Sequence, residues 1–130
     1  METNDYVSYE LALKLKECGF DWKTDHLYRK DADNGDQNML IHSGFDNYNE
    51  HWSASDWCSA PSLYAAQKWL RKEKEIFVEV TSDALYDWGF FILELDEDAN
   101  IGVVRGSEVY HSYEQALSAG ITTALELIER

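Results

Sequence analysis

Residues 60–95 read APSLYAAQKWLRKEKEIFVEVTSDALYDWGFFILEL, and the hydrophobic period changes within this stretch. Residues 62–75 repeat apolar side chains at about the 3.6-residue helical period, which predicts an amphipathic helix. Its apolar positions are Leu63, Ala66, Trp69 and Leu70. Pro61 disfavours helix at the residue before it, and the Ser62 hydroxyl can cap the first free amides. The sequence therefore predicts that this helix begins at residue 62.

The second half of the stretch predicts two strands. Residues 76–81 alternate apolar and polar side chains, as a half-buried strand does. Residues 86–95 are apolar on both alternating faces, which are Trp88-Phe90-Ile92 and Phe91-Leu93-Leu95. Two apolar faces are typical of a strand inside a sheet, with material packed on both sides. We therefore expect residues 86–95 to be a central strand.

The rest of the chain adds two helices and further strands. A helix is predicted over residues 8–17, and another begins at Ser112, where Gln115 has the spacing of a capping box. Further strands are predicted over 25–30, over 38–42, and over either 101–105 or 108–110.

These elements predict one α+β domain over residues 1–130, with residues 1–5 frayed. We expect an antiparallel sheet of four to five strands with three helices, built around a single core. The predicted core residues are Trp69, Leu70, Phe91, Leu93, Leu117, Ile121 and Ala124.

Charge is the strongest compositional feature, because 11 basic residues against 25 acidic ones give a net charge of −14. A field of that sign repels nucleic acid and anionic membranes, so the sequence predicts neither as a direct partner. No apolar run approaches the ~18 residues of a membrane span, and the N-terminus shows no secretory pattern. We therefore expect a cytoplasmic protein, and the sequence leaves its oligomeric state open.

Acidic residues are densest over residues 75–108, which hold nine acids and one base. The sequence favours a non-enzymatic interaction protein that binds a basic protein partner through this acidic surface. In a more specific form of this hypothesis, the acidic surface imitates the phosphate charge of DNA, which carries about one negative charge per 1.7 Å of axis. The acids expected to form such a row are Glu79, Asp83, Asp87, Glu94, Asp96, Glu97, Asp98 and Glu108. Solubility alone is the simpler explanation of the same acidity.

The segment 43–60 mixes aromatic side chains with Asp, Asn, Ser and His and shows no clear period. A loop of that length either covers the core or carries a function. The alternative hypothesis is therefore a nucleotide- or sugar-binding protein or enzyme that uses residues 45–57. Its candidate ligand-binding residues are Phe45, Tyr48, His51, Trp52 and Trp57.

Metal and catalytic motifs are weak. The segments 31–36 and 96–100 begin like calcium loops. In the first, the glycine falls one position early and the twelfth residue is His42 instead of Glu; in the second, Gly102 and Glu108 each come one residue late. The trio His51, Asp56 and Cys58 has catalytic residue types, yet no sequence neighbour lowers the pKa of the Cys58 thiol. We predict no metal, no cofactor and no catalytic residue.

One basic group lies on the helix predicted over 62–75. It consists of Lys68, Arg71, Lys72 and Lys74. Cations near a helix C-terminus interact favourably with the helix dipole, so a solvated face explains them. They could also mark the docking place of an acidic neighbour, including a second copy of this chain.

Two short patterns carry a family resemblance. They are Cys58-x-Ala60-Pro61-Ser62 with Ala66 and Trp69-Leu70, and Ser112-Tyr113-Glu114-Gln115-Ala116. Together they resemble small acidic uncharacterised proteins of phages and prophage-like elements of gut bacteria. The resemblance covers the start of the helix predicted over 8–17 and most of residues 58–130, while residues 20–57 match poorly. It implies a cytoplasmic protein of a mobile element, and no site residues.

Overall fold

The computed structural model describes residues 3–29, 39–50, 56–84, 87–95 and 97–129. Over these residues the chain is α+β, with three α-helices and two three-stranded antiparallel sheets. It divides into two compact units, Met1–Ser62 (unit 1) and Leu63–Arg130 (unit 2). The prediction of a single domain over 1–130 stays a prediction.

Unit 1 joins one helix to one sheet. Its elements are a 3₁₀-helix (Thr3–Asp5), α1 (Tyr9–Glu17), β1 (Thr24–Arg29), β2 (Met39–Asp46) and β3 (Trp57–Ser59). Strand β1 is central and pairs antiparallel with β2 and with β3. Helix α1 begins where predicted, because the Ser8 hydroxyl accepts a hydrogen bond from the Leu11 amide at 3.2 Å. Residues 3–5, which we expected to fray, form the 3₁₀-helix.

Unit 2 contains α2 (Leu63–Glu73), β4 (Ile76–Ala84), β5 (Asp87–Leu95), β6 (Ile101–Arg105) and α3 (Tyr113–Ile128). Strand β5 lies between β4 and β6, which confirms that the stretch predicted over 86–95 is a central strand. Residue 86 itself lies outside the described residues. The two segments considered for the next strand, 101–105 and 108–110, both pair with β5. The first forms β6, and the second forms an isolated bridge between Tyr110 and Trp88.

Helices α2 and α3 cover one face of the β4–β5–β6 sheet, where α3 packs on β4 and β5. The approach is closest at Gly120 of α3. A Cβ atom there would lie 2.6 Å from Val78 Cγ1 and 3.2 Å from Phe90 Cγ, below normal contact distance. The absent side chain therefore lets the helix reach the sheet.

The structure corrects the predicted sheet. A single sheet of four to five strands was expected, but the described strands form two sheets of three. The difference arises because β1, β2 and β3 pair only among themselves, and the three-residue strand β3 was not predicted. Pairing partners are set by tertiary packing, which a period in the sequence does not encode.

The predicted core is also corrected on β5. Trp69, Leu70, Leu117, Ile121 and Ala124 are buried as predicted. On β5, however, the buried pair is Phe90 and Ile92, while Phe91 and Leu93 are only half-buried on the opposite face. Both faces of β5 are apolar, so the sequence could not indicate which one the helices cover.

Candidate interaction surface

The face of the β4–β5–β6 sheet away from the helices is apolar and partly exposed. Paired residues point to the same side of an antiparallel sheet, so the register fixes which residues share this face. We call it the open face; it consists of Phe77, Glu79, Phe91, Leu93, Leu95, Ile101, Val103 and Arg105. Leu95, Ile101 and Val103 are 44%, 65% and 53% exposed. Contiguous exposed apolar surface of this kind marks interaction sites in folded proteins.

One charged row forms the end of the open face that lies farther from the β5–β6 turn. Glu79 pairs with Phe91 across β4 and β5, and Phe91 pairs with Arg105 across β5 and β6. The Arg105 guanidinium lies 5.7 Å from the centre of the Phe91 ring, within cation–π range. An acid and a base therefore flank one central aromatic ring.

Next to this row, the open face forms a shallow apolar groove of about 260 Å³. It is lined by Phe77, Leu93, Glu94, Leu95 and Ile101. The groove lies at the end of the sheet where β5 turns into β6.

The structure places the predicted acidic row at two ends of the sheet and not in one line. Glu94, Glu97 and Asp98 lie around the β5–β6 turn, and Glu75, which the sequence analysis left out, precedes Ile76 at the same end. We call these four residues the acidic turn end. Because Ile76 pairs with Glu94, the register brings Glu75 to this place, a fact that charge counting along the chain does not reveal.

Other acids of the predicted row lie elsewhere. Asp87 and Glu108 line a second groove of about 190 Å³ at the opposite end of β5, and Glu79 lies between the ends on the open face. Glu108 also hydrogen-bonds the Tyr110 phenol; burial first, and then this carboxylate, raises the pKa of Tyr110. Asp96 and the side chain of Asp83 lie outside the described residues.

The basic group of the helix predicted over 62–75 lies on and just after α2. Lys68, Arg71, Lys72 and Lys74 are all exposed. Lys74 lies 5.5 Å above the Trp69 ring. In unit 2 four bases therefore gather on and just after α2, whereas residues 75–108 hold nine acids and one base.

The aromatic segment of the alternative hypothesis belongs to unit 1. Tyr48 is buried, donates its hydroxyl to the Gly44 carbonyl, and packs edge-on against Trp57 at 6.1 Å. Phe45 is 71% exposed, so the structure does not bring it into the same cluster. His51 and Trp52 lie outside the described residues. Tyr48 has the contacts of a core residue, and the ligand-binding hypothesis stays a prediction.

A cluster of titratable side chains in unit 1 was missed by the sequence analysis. His26 Nδ1 lies 2.8 Å from Asp25 Oδ1, and His42 Nε2 lies 3.9 Å from Asp25 Oδ2. The hydrogen bond from His26 lowers the pKa of Asp25, while burial, followed by the Asp25 charge, raises the pKa of Tyr6. His26 and His42 are paired across β1 and β2, so only the register could have revealed the cluster.

The trio His51, Asp56 and Cys58, from which we predicted no catalytic residue, gains no support as a nucleophilic site. Burial raises the pKa of the Cys58 thiol to about 11, and Lys16 lowers it only in part. A thiol with that pKa is protonated near neutral pH and is a poor nucleophile. Asp56 is exposed, and His51 lies outside the described residues.

Metal ligands do not gather in the described part of the chain. There, no three His, Cys, Asp or Glu side chains are placed to hold a metal ion. The calcium-like segment 31–36 and Asp96 lie outside that part. Within the described ranges, no helix is long and apolar enough to cross a membrane.

Comparisons of the chain with protein-family models, with curated proteins and with solved structures give no match. Functional conclusions therefore rest on the geometry of the chain itself.

Proposed function

We propose that this chain is a non-enzymatic interaction protein that binds a basic protein partner through the acidic sheet of unit 2. The observation that carries the proposal is the concentration of acids on the strands and turns of that sheet. Residues 75–108 build the sheet and its turns with nine acids and one base. Of the seven acids there whose side chains are described, all but Glu94 are exposed.

The acidic turn end is the proposed centre of recognition. Glu97 and Asp98 are adjacent and exposed, and Glu75 and Glu94 lie at the same end of the sheet. Carboxylates gathered at one end produce a stronger local field than the same charges spread evenly. A partner with a basic surface is attracted to this end first, which raises the association rate.

The proposal includes a biological setting. In a cytoplasmic protein of a mobile element, an acidic surface can occupy the nucleic-acid-binding groove of another protein by imitating phosphate charge.

Charge reversal at the acidic turn end tests the proposal. The test variant is Glu97→Lys with Asp98→Lys; the matched control is Glu17→Lys with Glu126→Lys, which makes the same charge change at two exposed helix positions. Tagged wild-type and variant proteins are used to capture partners from lysate of the organism that encodes the chain, and bound proteins are quantified.

We expect the wild type and the control variant to capture the same partners, and the test variant to lose them. They should also dissociate at about 0.5 M salt, where screening shortens the range of charge attraction to a few Å. Release of the same partners by duplex DNA would support imitation of nucleic acid. Equal capture by all three proteins, or capture that resists salt, would contradict electrostatic recognition.

A further inference from the structure

We propose that two copies of this chain bind each other through the open face of the β4–β5–β6 sheet, related by a two-fold axis along β5. The face is apolar, and three of its side chains are between 44% and 65% exposed. Sheets with apolar faces pack in an aligned manner at a separation of about 10 Å. This inference is independent of the proposed basic partner.

The charge on the open face selects a second copy as the occupant. Arg105 is the single base within residues 75–108, and it lies on this face across Phe91 from Glu79. Glu79 and Arg105 balance each other within their row, so a basic partner gains little from that row. A surface that carries both signs in a symmetric arrangement can instead complement itself.

The register gives the pairing. A two-fold rotation about an axis along β5 exchanges the β4 and β6 sides, so Glu79 of one copy lies opposite Arg105 of the other. The rotation produces this pair twice, and the Phe91 rings meet near the axis. Both charged side chains flank Phe91 in one cross-strand row, which the rotation places on the equivalent row.

The neighbouring row is complementary in size. Phe77, Leu93 and Val103 are paired across the three strands. The same rotation places the large Phe77 side chain opposite the small Val103 and places Leu93 opposite its own copy. Large side chains that oppose small ones let two faces interdigitate without voids.

The area of the face makes the dimer weak. Three strands at about 4.8 Å and five to nine residues at about 3.4 Å each give a footprint of roughly 250–400 Å² per copy. A standard stable interface buries about 800 Å² per partner, so we expect association only at micromolar or higher concentration. Each copy carries −14, and screening of that repulsion should strengthen the dimer as salt rises.

Sedimentation equilibrium of the full chain, from about 1 µM to about 500 µM, tests the proposal. The monomer mass is 15.1 kDa, and the wild type should approach twice that value at the high end. Arg105→Glu and Glu79→Arg should each raise the dimer dissociation constant about 10-fold or more, because they replace two attractive pairs with two repulsive ones. The double variant Glu79→Arg with Arg105→Glu keeps the wild-type net charge and should restore the dimer.

A matched pair of exposed apolar residues separates the open face from general surface effects. Val103 lies on the open face and is 53% exposed, whereas Leu13 lies on helix α1 of unit 1 and is 36% exposed. We expect Val103→Asp to abolish dimerisation and Leu13→Asp to leave it within about twofold. Circular dichroism of each variant checks that it is folded.

Several results would overturn the proposal. They are a monomer at every concentration and salt, a dimer that Val103→Asp leaves intact, and a double variant that stays monomeric. A dimer broken by Lys68→Glu with Arg71→Glu and not by Arg105→Glu would assign the contact to α2. Because salt should strengthen this dimer and weaken a basic partner's binding, failure of one proposal is distinguishable from failure of the other.

Discussion

Substitution of Gly120 by alanine tests how α3 packs on the sheet. The added Cβ would lie 2.6 Å from Val78 Cγ1, about 1 Å closer than normal carbon–carbon contact. Val78 and Phe90 are buried and cannot move into solvent. Overpacking costs about 1–3 kcal/mol, and replacing helical glycine returns about 1 kcal/mol, so we expect a net loss of up to about 2 kcal/mol. For a chain of this size the upper figure lowers the melting temperature by several degrees.

A double-mutant cycle identifies the clash as the cause. Val78→Ala alone removes two buried methyl groups and should cost about 2 kcal/mol or more. In that background the tight contacts that remain are those with Phe90 at 3.2 and 3.3 Å, so Gly120→Ala should cost less stability than it does in the wild type. Urea unfolding followed by circular dichroism measures all four proteins, with Gly44→Ala as the control because its Cβ would meet no atom within 4 Å. An equal loss of stability from Gly120→Ala in both backgrounds would refute the reasoning.

Three further predictions concern a cap, a thiol and metals. Ser112→Ala removes the acceptor at the start of α3 and should lower the free energy of unfolding by about 1 kcal/mol; an unchanged urea midpoint would contradict this. Cys58 should resist thiol reagents in the folded chain at pH 8, so that Cys18 is labelled first; if Cys58→Ser removed the faster of the two labelling reactions, this order would be wrong. The raised pKa of Cys58 contributes stability that is fully present below pH 9.0 and is lost as the pH rises toward about 11. Micromolar calcium or zinc should leave the melting temperature unchanged; a rise of several degrees that is abolished by changing Asp31 or Asp96 would show a metal site.

Local patterns in the sequence predicted element type well. The period over residues 8–17 and the Ser8 cap correspond to α1, and the apolar run over 86–95 corresponds to β5 at the centre of its sheet. These features depend on backbone hydrogen bonding and side-chain period, which are properties of neighbouring residues. The three-residue strand β3 was missed because its hydrogen bonds come from β1, about thirty residues away in sequence.

The candidate surface was less predictable for a related reason. The density of acids over 75–108 was visible, but their division between the two ends of the sheet depends on strand register. The open face was hidden in a different way, because both faces of β5 are apolar and only helix packing decides which one is covered. Local hydrophobic patterns in the sequence do not encode long-range contacts of this kind.

The order of unit 2 along the chain has a consequence for its synthesis on the ribosome. The β4–β5 hairpin emerges before α3, so the nascent sheet exposes the surface that α3 later covers as well as its open face. Exposed apolar strands with unpaired edges are the species that aggregate during folding. Acids within and between these strands, such as Glu79 and Glu97, should reduce this aggregation, since like charges keep nascent chains apart. We therefore expect the same carboxylates that shape the mature surface to protect the nascent sheet in the interval before α3 is made.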